Sequence, residues 1–229
     1  MNRKYFSTGI AAMAAVVLLS AAGAGAADAV PGITLDHRGL ISVGGGVISS
    51  NLVAFGSGWK YAAQDYCLEN IKKSGKGMDL KYEANFNVPG ARLKMIETTK
   101  AINDKGKAGL KVSYTISGEG ETSLDNIYVA FRIPVKDFSS SVFAAGGEKL
   151  QLPQSYGNEY LPFPKNASDI SVGNAKFSMS IKGDNLEVCL VDARKQKGNE
   201  NYELRINFKN GKKFTSTELS FDLFSEEPL

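Results

Sequence analysis

The strongest constraint on the fold is a two-residue alternation of apolar and polar side chains that returns along most of the chain. In DLKYEANFNV, residues 79 to 88, Leu80, Tyr82, Ala84, Phe86 and Val88 fall on one side of an extended ribbon, and Lys81, Glu83, Asn85 and Asn87 on the other. LKVSYTIS repeats the pattern with Leu110, Val112, Tyr114 and Ile116. NIYVAFRIPV repeats it with Ile127, Val129, Phe131 and Ile133, until Pro134 stops the run. Each run predicts a strand with one buried face. Pro89-Gly90, NDKGKAG, GEGET and KGDN punctuate the runs as expected turns, KGDN closing a hairpin between KFSMSI and LEVCLV. Asn210-Gly211 in KNGKK is the strongest short hairpin signal.

Only AAQDYCLENIKK, residues 62 to 73, approaches helical spacing, and beside so many strands it reads better as an irregular edge strand. Antiparallel strands joined by short turns bury their apolar faces only by closing face to face or into a barrel. The expected fold is therefore all-β: a large antiparallel β-sandwich with at most one short helix apart from the signal peptide. No period of the length of a propeller blade or solenoid repeat is visible.

The first residues carry an address. Arg3 and Lys4 precede an apolar run from Ile10 to Leu19, and small residues follow through Ala24-Gly25-Ala26 to Ala27. This is the plan of a secretory signal peptide, too short and alanine-rich for a stable membrane span. Residues 1–27 are the expected leader and 28–229 a single β-sandwich domain, exported to the periplasm or beyond, with no stable membrane span after cleavage. Removing the leader takes two cations from a chain whose net charge is +3. A nearly neutral mature chain lacks the basic stripe that nucleic acid requires.

Cys67 and Cys189 would meet an oxidising compartment. A bridge between them would close a loop of about 122 residues, worth about 5 kcal/mol in the chain-entropy account. Two buried free thiols are the other reading, and the residues leave both open. His37 is the only histidine, which argues against a multi-histidine metal site and a serine–histidine triad. No catalytic residue, metal or cofactor is expected. Paired carboxylates need no histidine, and Asp79, Glu83, Glu97, Asp125 and Asp192 are the candidates, each on a strand or turn where a solvated carboxylate is ordinary.

Aromatic residues outside the strand alternation point elsewhere. GSGWKY places Trp59 and Tyr61 just after glycines, and SYGNEYLPFPKN places Tyr156, Tyr160 and Phe163 in a long loop. A ring on a loop offers a flat apolar face with a polar edge, suited to stacking on a sugar. Trp59, Tyr61, Tyr156 and Tyr160 are the candidate carbohydrate platform. The alternative is that Trp59 plugs the end of the sandwich and the loop rings cover a sheet edge.

A resemblance points the same way. FRIPVKDFSSSVFAAGGEKLQLP, with Ile133-Pro134, Gly146-Gly147 and Leu152-Pro153, followed by Asp192-Ala193-Arg194, resembles the β-sandwich region that precedes glycoside-hydrolase-type barrels in exported bacterial proteins. Such sandwiches are similar to galactose-mutarotase-like and carbohydrate-binding modules. The resemblance implies a noncatalytic or accessory role near polysaccharide, with glycan as the partner; no barrel follows the sandwich in this sequence. Asp192 and Arg194 themselves read as a structural pin, two side chains on one face of an extended segment. The leading expectation is an exported, noncatalytic, carbohydrate-binding sandwich. The alternatives are a carboxylate-based polysaccharide-active enzyme and a structural or partner-binding envelope protein.

Overall fold

The computed structural model describes residues 29–163 and 165–226. The expected leader, residues 1–27, lies outside the described residues. In chain order the elements are β1 (Ile33–Leu35), β2 (Ile41–Val43), β3 (Ile48–Gly56), β4 (Lys60–Ala63), the single-turn helix α1 (Gln64–Cys67), β5 (Leu68–Lys76), β6 (Asp79–Val88), β7 (Ala91–Asp104) and β8 (Lys107–Ser123). There follow β9 (Asn126–Pro134), the short helix α2 (Val135–Phe138), β10 (Val142–Ala145), β11 (Glu148–Gln151), β12 (Asn166–Gly173), β13 (Ser178–Asp192), a 3-10 turn (Ala193–Lys195), β14 (Asn201–Asn207) and β15 (Lys213–Glu226). The all-β antiparallel class expected from the alternation is the class observed. Among the described residues no helix is long and apolar enough to cross a membrane.

The strands hydrogen-bond in the order β1-β2-β3-β9-β14-β13-β15-β8-β7-β6-β5, with β4 on β3 and the branch β12-β10-β11 on β13. β13 is the element on which the sheet turns over. Its first residues, Ser178 to Lys182, pair with β15, and its last, Glu187 to Asp192, pair with β14. The two halves of the sheet thus share one strand, and their apolar faces meet. Phe131 of β9 packs edge-on against Phe221 of β15 at 5.8 Å between ring centres, and Tyr114 of β8 meets Phe208 beyond β14 at 6.4 Å. Every apolar residue named above for β6, β8 and β9 is buried in this core. Each Val, Leu, Ile or Phe among them contributes about 1.5–3 kcal/mol by leaving water.

Three expected turns are corrected. KGDN lies inside β13: Asn185 takes a positive φ of 47° and the β12 register shifts between Ala167 and Asp169, so the segment bulges the strand instead of reversing it. GEGET is likewise absorbed into β8, where the pairing with β15 shifts between Phe214 and Ser216. Asn210-Gly211 does turn the chain, with Gly211 donating to the Phe208 carbonyl at 3.1 Å, but β14 and β15 are separated by β13. That turn is a corner between the two halves and not a hairpin. Glycine and asparagine permit left-handed backbone in all three places; only the partner strands decide between bulge, corner and hairpin. Residues 62 to 73 divide between the two readings: Gln64–Cys67 form a helical turn where an irregular strand was expected, and from Leu68 the chain is the expected sheet-edge strand β5.

Candidate functional site

Strand register assigns side chains to the solvent face of the β13-β14-β9-β3-β4 half, because residues directly opposite one another point the same way. Val191 opposes Glu203, which opposes Arg132; Cys189 opposes Arg205, which opposes Ala130; and Asn207 opposes Tyr128, then Val53, then Ala63. Phe55 opposes Tyr61. The loop before β12 runs along the free side of β13, with Leu161 donating to the Leu190 carbonyl at 3.0 Å and Tyr160 bridging to Val191. Tyr61 and Tyr160, more than ninety residues apart in the chain, are therefore displayed on one sheet face.

This face carries a small apolar cluster of its own. Val53, Ala63, Tyr128 and Ala130 are buried on the side away from the main core, with Phe55 packed against them. Phe55 gathers the rings: Trp59 lies 5.5 Å from it, Tyr61 5.4 Å and Tyr128 6.3 Å, and Tyr66 continues the array 6.1 Å from Tyr61. Trp59 is 65% exposed and Tyr61 42%. Trp59 does not plug the sandwich. It sits at the tip of the β3–β4 hairpin with φ of 59°, its N–H held by the Asp125 carboxylate at 2.7 Å. Left-handed backbone costs a bulky residue about 1–2 kcal/mol, and little burial offsets that cost here.

Beside the rings lies a groove of about 640 Å³, within the range of small-ligand sites. Its floor includes Val53 and Ala130, its walls Tyr61, Arg132, Glu203 and Arg205, and its rim residues 196–199. Arg205 stacks over Tyr128 at 4.9 Å and clamps Glu203 through Nε and Nη2 at 3.1 and 2.8 Å. Burial pushes the Tyr61 phenol above its ordinary range, with the Arg132 guanidinium pulling it partly back. At neutral pH the phenol is uncharged and able to donate. A second hollow of about 560 Å³ adjoins on the same face, lined by Tyr160, Phe163, Glu187, Cys189 and Asn207 among others. A larger trough of about 1060 Å³ crosses the outer face of β6 to β8, but its lining, Asn85, Asn87, Arg92 and Lys94 among others, contains no aromatic ring.

Of the four expected platform residues, Trp59 and Tyr61 stand together and Tyr160 shares their face at its other end. Tyr156, also exposed, stays in the loop, where it and Tyr160 both act on the Lys195 ammonium that holds Glu159. Phe55, Tyr66, Tyr128, Arg132 and Arg205 were not expected. The signal for three of them was present: Tyr128 and Arg132 occupy the non-core positions of NIYVAFRIPV, as Arg205 does in YELRINF, positions that ordinarily mean only a solvated face.

The two cysteines are free thiols. Cys189 belongs to the outer face beside Arg205, whereas Cys67 packs against the main core at the end of α1. The candidate carboxylates are dispersed. Asp79 accepts the Ala101 N–H at 2.9 Å, Glu83 is ion-paired with Lys81 on the outer face of β6, and Asp125 holds Trp59. Asp192 is buried and pinned by Arg194 through Nε at 2.8 Å and Nη2 at 2.5 Å. Arg194 also binds the Pro153 and Gln154 carbonyls, at 3.0 and 2.5 Å, from a 3-10 turn where extended chain was expected. Glu97 is wholly buried between the sheet halves, where Gln64 donates to it at 2.8 Å and burial raises its pKa to about 8.

No protein-family model matches the chain, and no curated protein matches it. Among solved structures it is similar to the crystal structure of a "Putative aldose 1-epimerase" from Escherichia coli K12, at 12% sequence identity and a TM-score of 0.47, over 87% of this chain and 98% of that one.

Proposed function

We propose that this protein is an exported, noncatalytic carbohydrate-binding β-sandwich whose ligand lies on the outer face between Trp59 and Tyr160. The observation that carries the reading is the exposed ring array Trp59-Tyr61-Tyr66 on Phe55, beside a groove of ligand size. Holding Trp59 in left-handed backbone, largely exposed, costs stability without contributing to the core. A flat ring with hydroxyl and guanidinium neighbours suits the apolar face and polar rim of a pyranose. Export rests on residues 1–27.

The test is a glycan-array screen of the purified protein beside a Trp59→Ala/Tyr61→Ala variant. Saturable binding to one glycan class, lost in the folded variant, is the expected result. A well-folded protein that binds no glycan, or a variant that binds as the parent does, overturns the reading.

A further inference from the structure

The groove beside the rings is asymmetric in charge. Three cationic side chains, Arg132, Lys197 and Arg205, face one carboxylate, Glu203, and Arg205 already holds that carboxylate. Arg132 stands opposite Glu203 in the β9–β14 register, half-buried, with the Tyr61 hydroxyl beside it. Among the described residues Arg132 forms no ion pair, whereas the half-buried Arg194 and Arg205 each hold a carboxylate. Asp65, the other carboxylate whose charge reaches Tyr61, forms no ion pair with it among the described residues. A half-buried guanidinium has lost part of its hydration, and the carboxylate opposite it, Glu203, is already held by Arg205.

We propose that the groove takes a saccharide bearing a carboxylate, a uronate residue, with Arg132 as the anchor of the acid group and the Trp59-Tyr61 rings as the surface for the sugar ring. This rests on the carbohydrate reading of the same face. The planar guanidinium fork matches a carboxylate with two parallel hydrogen bonds, which a neutral hydroxymethyl group at the same position cannot accept as a charge. Ala130 and Val53 leave the floor between Tyr61 and Arg132 low, so a ring resting on Tyr61 brings its acid group to Arg132. Lys197, on the rim, adds long-range attraction and not the fork.

The experiment is calorimetric titration of the purified protein at physiological salt with oligogalacturonate, oligoalginate and hyaluronan oligomers, each beside its carboxyl-reduced neutral form and a sulfated neutral oligomer. Arg132→Gln, Arg132→Lys and Trp59→Ala/Tyr61→Ala variants, all checked for an unchanged thermal transition, are titrated in parallel. The expected result is a preference of about tenfold or more for one acidic oligomer over its reduced form. That preference disappears in Arg132→Gln and falls strongly in Arg132→Lys, whose ammonium keeps the charge and lacks the fork, while binding of the neutral form survives both. Equal binding of acidic and reduced forms, or a preference that survives Arg132→Gln, overturns the uronate inference and leaves the ring platform standing. Equal binding of the sulfated oligomer with full activity of Arg132→Lys overturns the carboxylate fork in favour of general anion attraction. No binding of any oligomer overturns this inference together with the carbohydrate reading.

Discussion

Gln64 donates its side-chain amide to Glu97 at 2.8 Å and to the Arg38 carbonyl at 2.9 Å, so one glutamine ties the loop after β1 to a wholly buried carboxyl of β7. Its own oxygen accepts the Leu52 N–H at 3.2 Å, and Gly39 lies so near that a Cβ there would fall 2.3 Å from Glu97 Oε2. Tyr114, directly across the strand pair, brings a buried hydroxyl to the same place. The cluster joins the sheet halves from within and lies apart from the outer groove.

The Glu97 carboxyl has a pKa near 8 in the folded protein, raised by burial from an ordinary 4.5. The folded state therefore keeps a proton that the unfolded chain releases, and stability falls as pH rises through this window, by up to about 1.4 kcal/mol per pH unit. Below pH 4.5 this contribution is complete, and above pH 8 the loss has levelled off. Glu97→Gln imitates the protonated form and should flatten the slope, matching the parent at pH 5 and exceeding it at pH 8. Urea unfolding across that range checks this; parallel profiles for the two proteins would sink it.

Trp59 is expected to work against stability. Replacing it with Gly, which adopts a φ of 59° without penalty, should leave stability unchanged or raise it by about 1 kcal/mol despite the lost contact with Phe55. Glycan binding should fall in the same variant. A large drop in the thermal midpoint would mean that Trp59 is a packing residue after all.

Arg194→Ala removes the fork that neutralises Asp192, which is 0% exposed. Stranding that carboxylate should cost about 3–5 kcal/mol and release the Pro153–Gln154 segment that Arg194 holds. Glycan binding per folded molecule should stay as in the parent. Chemical denaturation paired with titration of the folded fraction separates the two; loss of binding without loss of stability would move Arg194 into the ligand site.

Tyr160 and the Trp59-Tyr61 array occupy two hollows of one face, with Arg205, Asn207 and Cys189 between them. A short oligosaccharide engages only the ring array. Tyr160→Ala should leave its affinity unaltered and weaken longer oligomers about 3- to 10-fold, the worth of one aromatic contact. A length series titrated against both proteins reads this directly, and an equal loss at every length would contradict it.

The local alternation of side chains determined much of this protein. Tyr82, Tyr114 and Phe131 are core residues because period two in a strand leaves them no other face, and the all-β class follows from how often that pattern recurs. Trp59 and Tyr61 were legible as candidate platform rings because glycines precede them in GSGWKY, but whether they plug the sandwich or face water was decided by the tertiary structure. Pairing was decided only by the tertiary structure. Gly183-Asp184-Asn185 and GEGET became bulges and Asn210-Gly211 a corner, because the backbone freedom that makes a turn also makes a bulge, and the neighbouring strand chooses. Register across β13, β14, β9 and β3 brought Tyr160, Arg132, Arg205 and Tyr61 onto one face from four distant segments. No segment encodes that proximity, since it arises from hydrogen bonds between strands and from the burial of the opposite face.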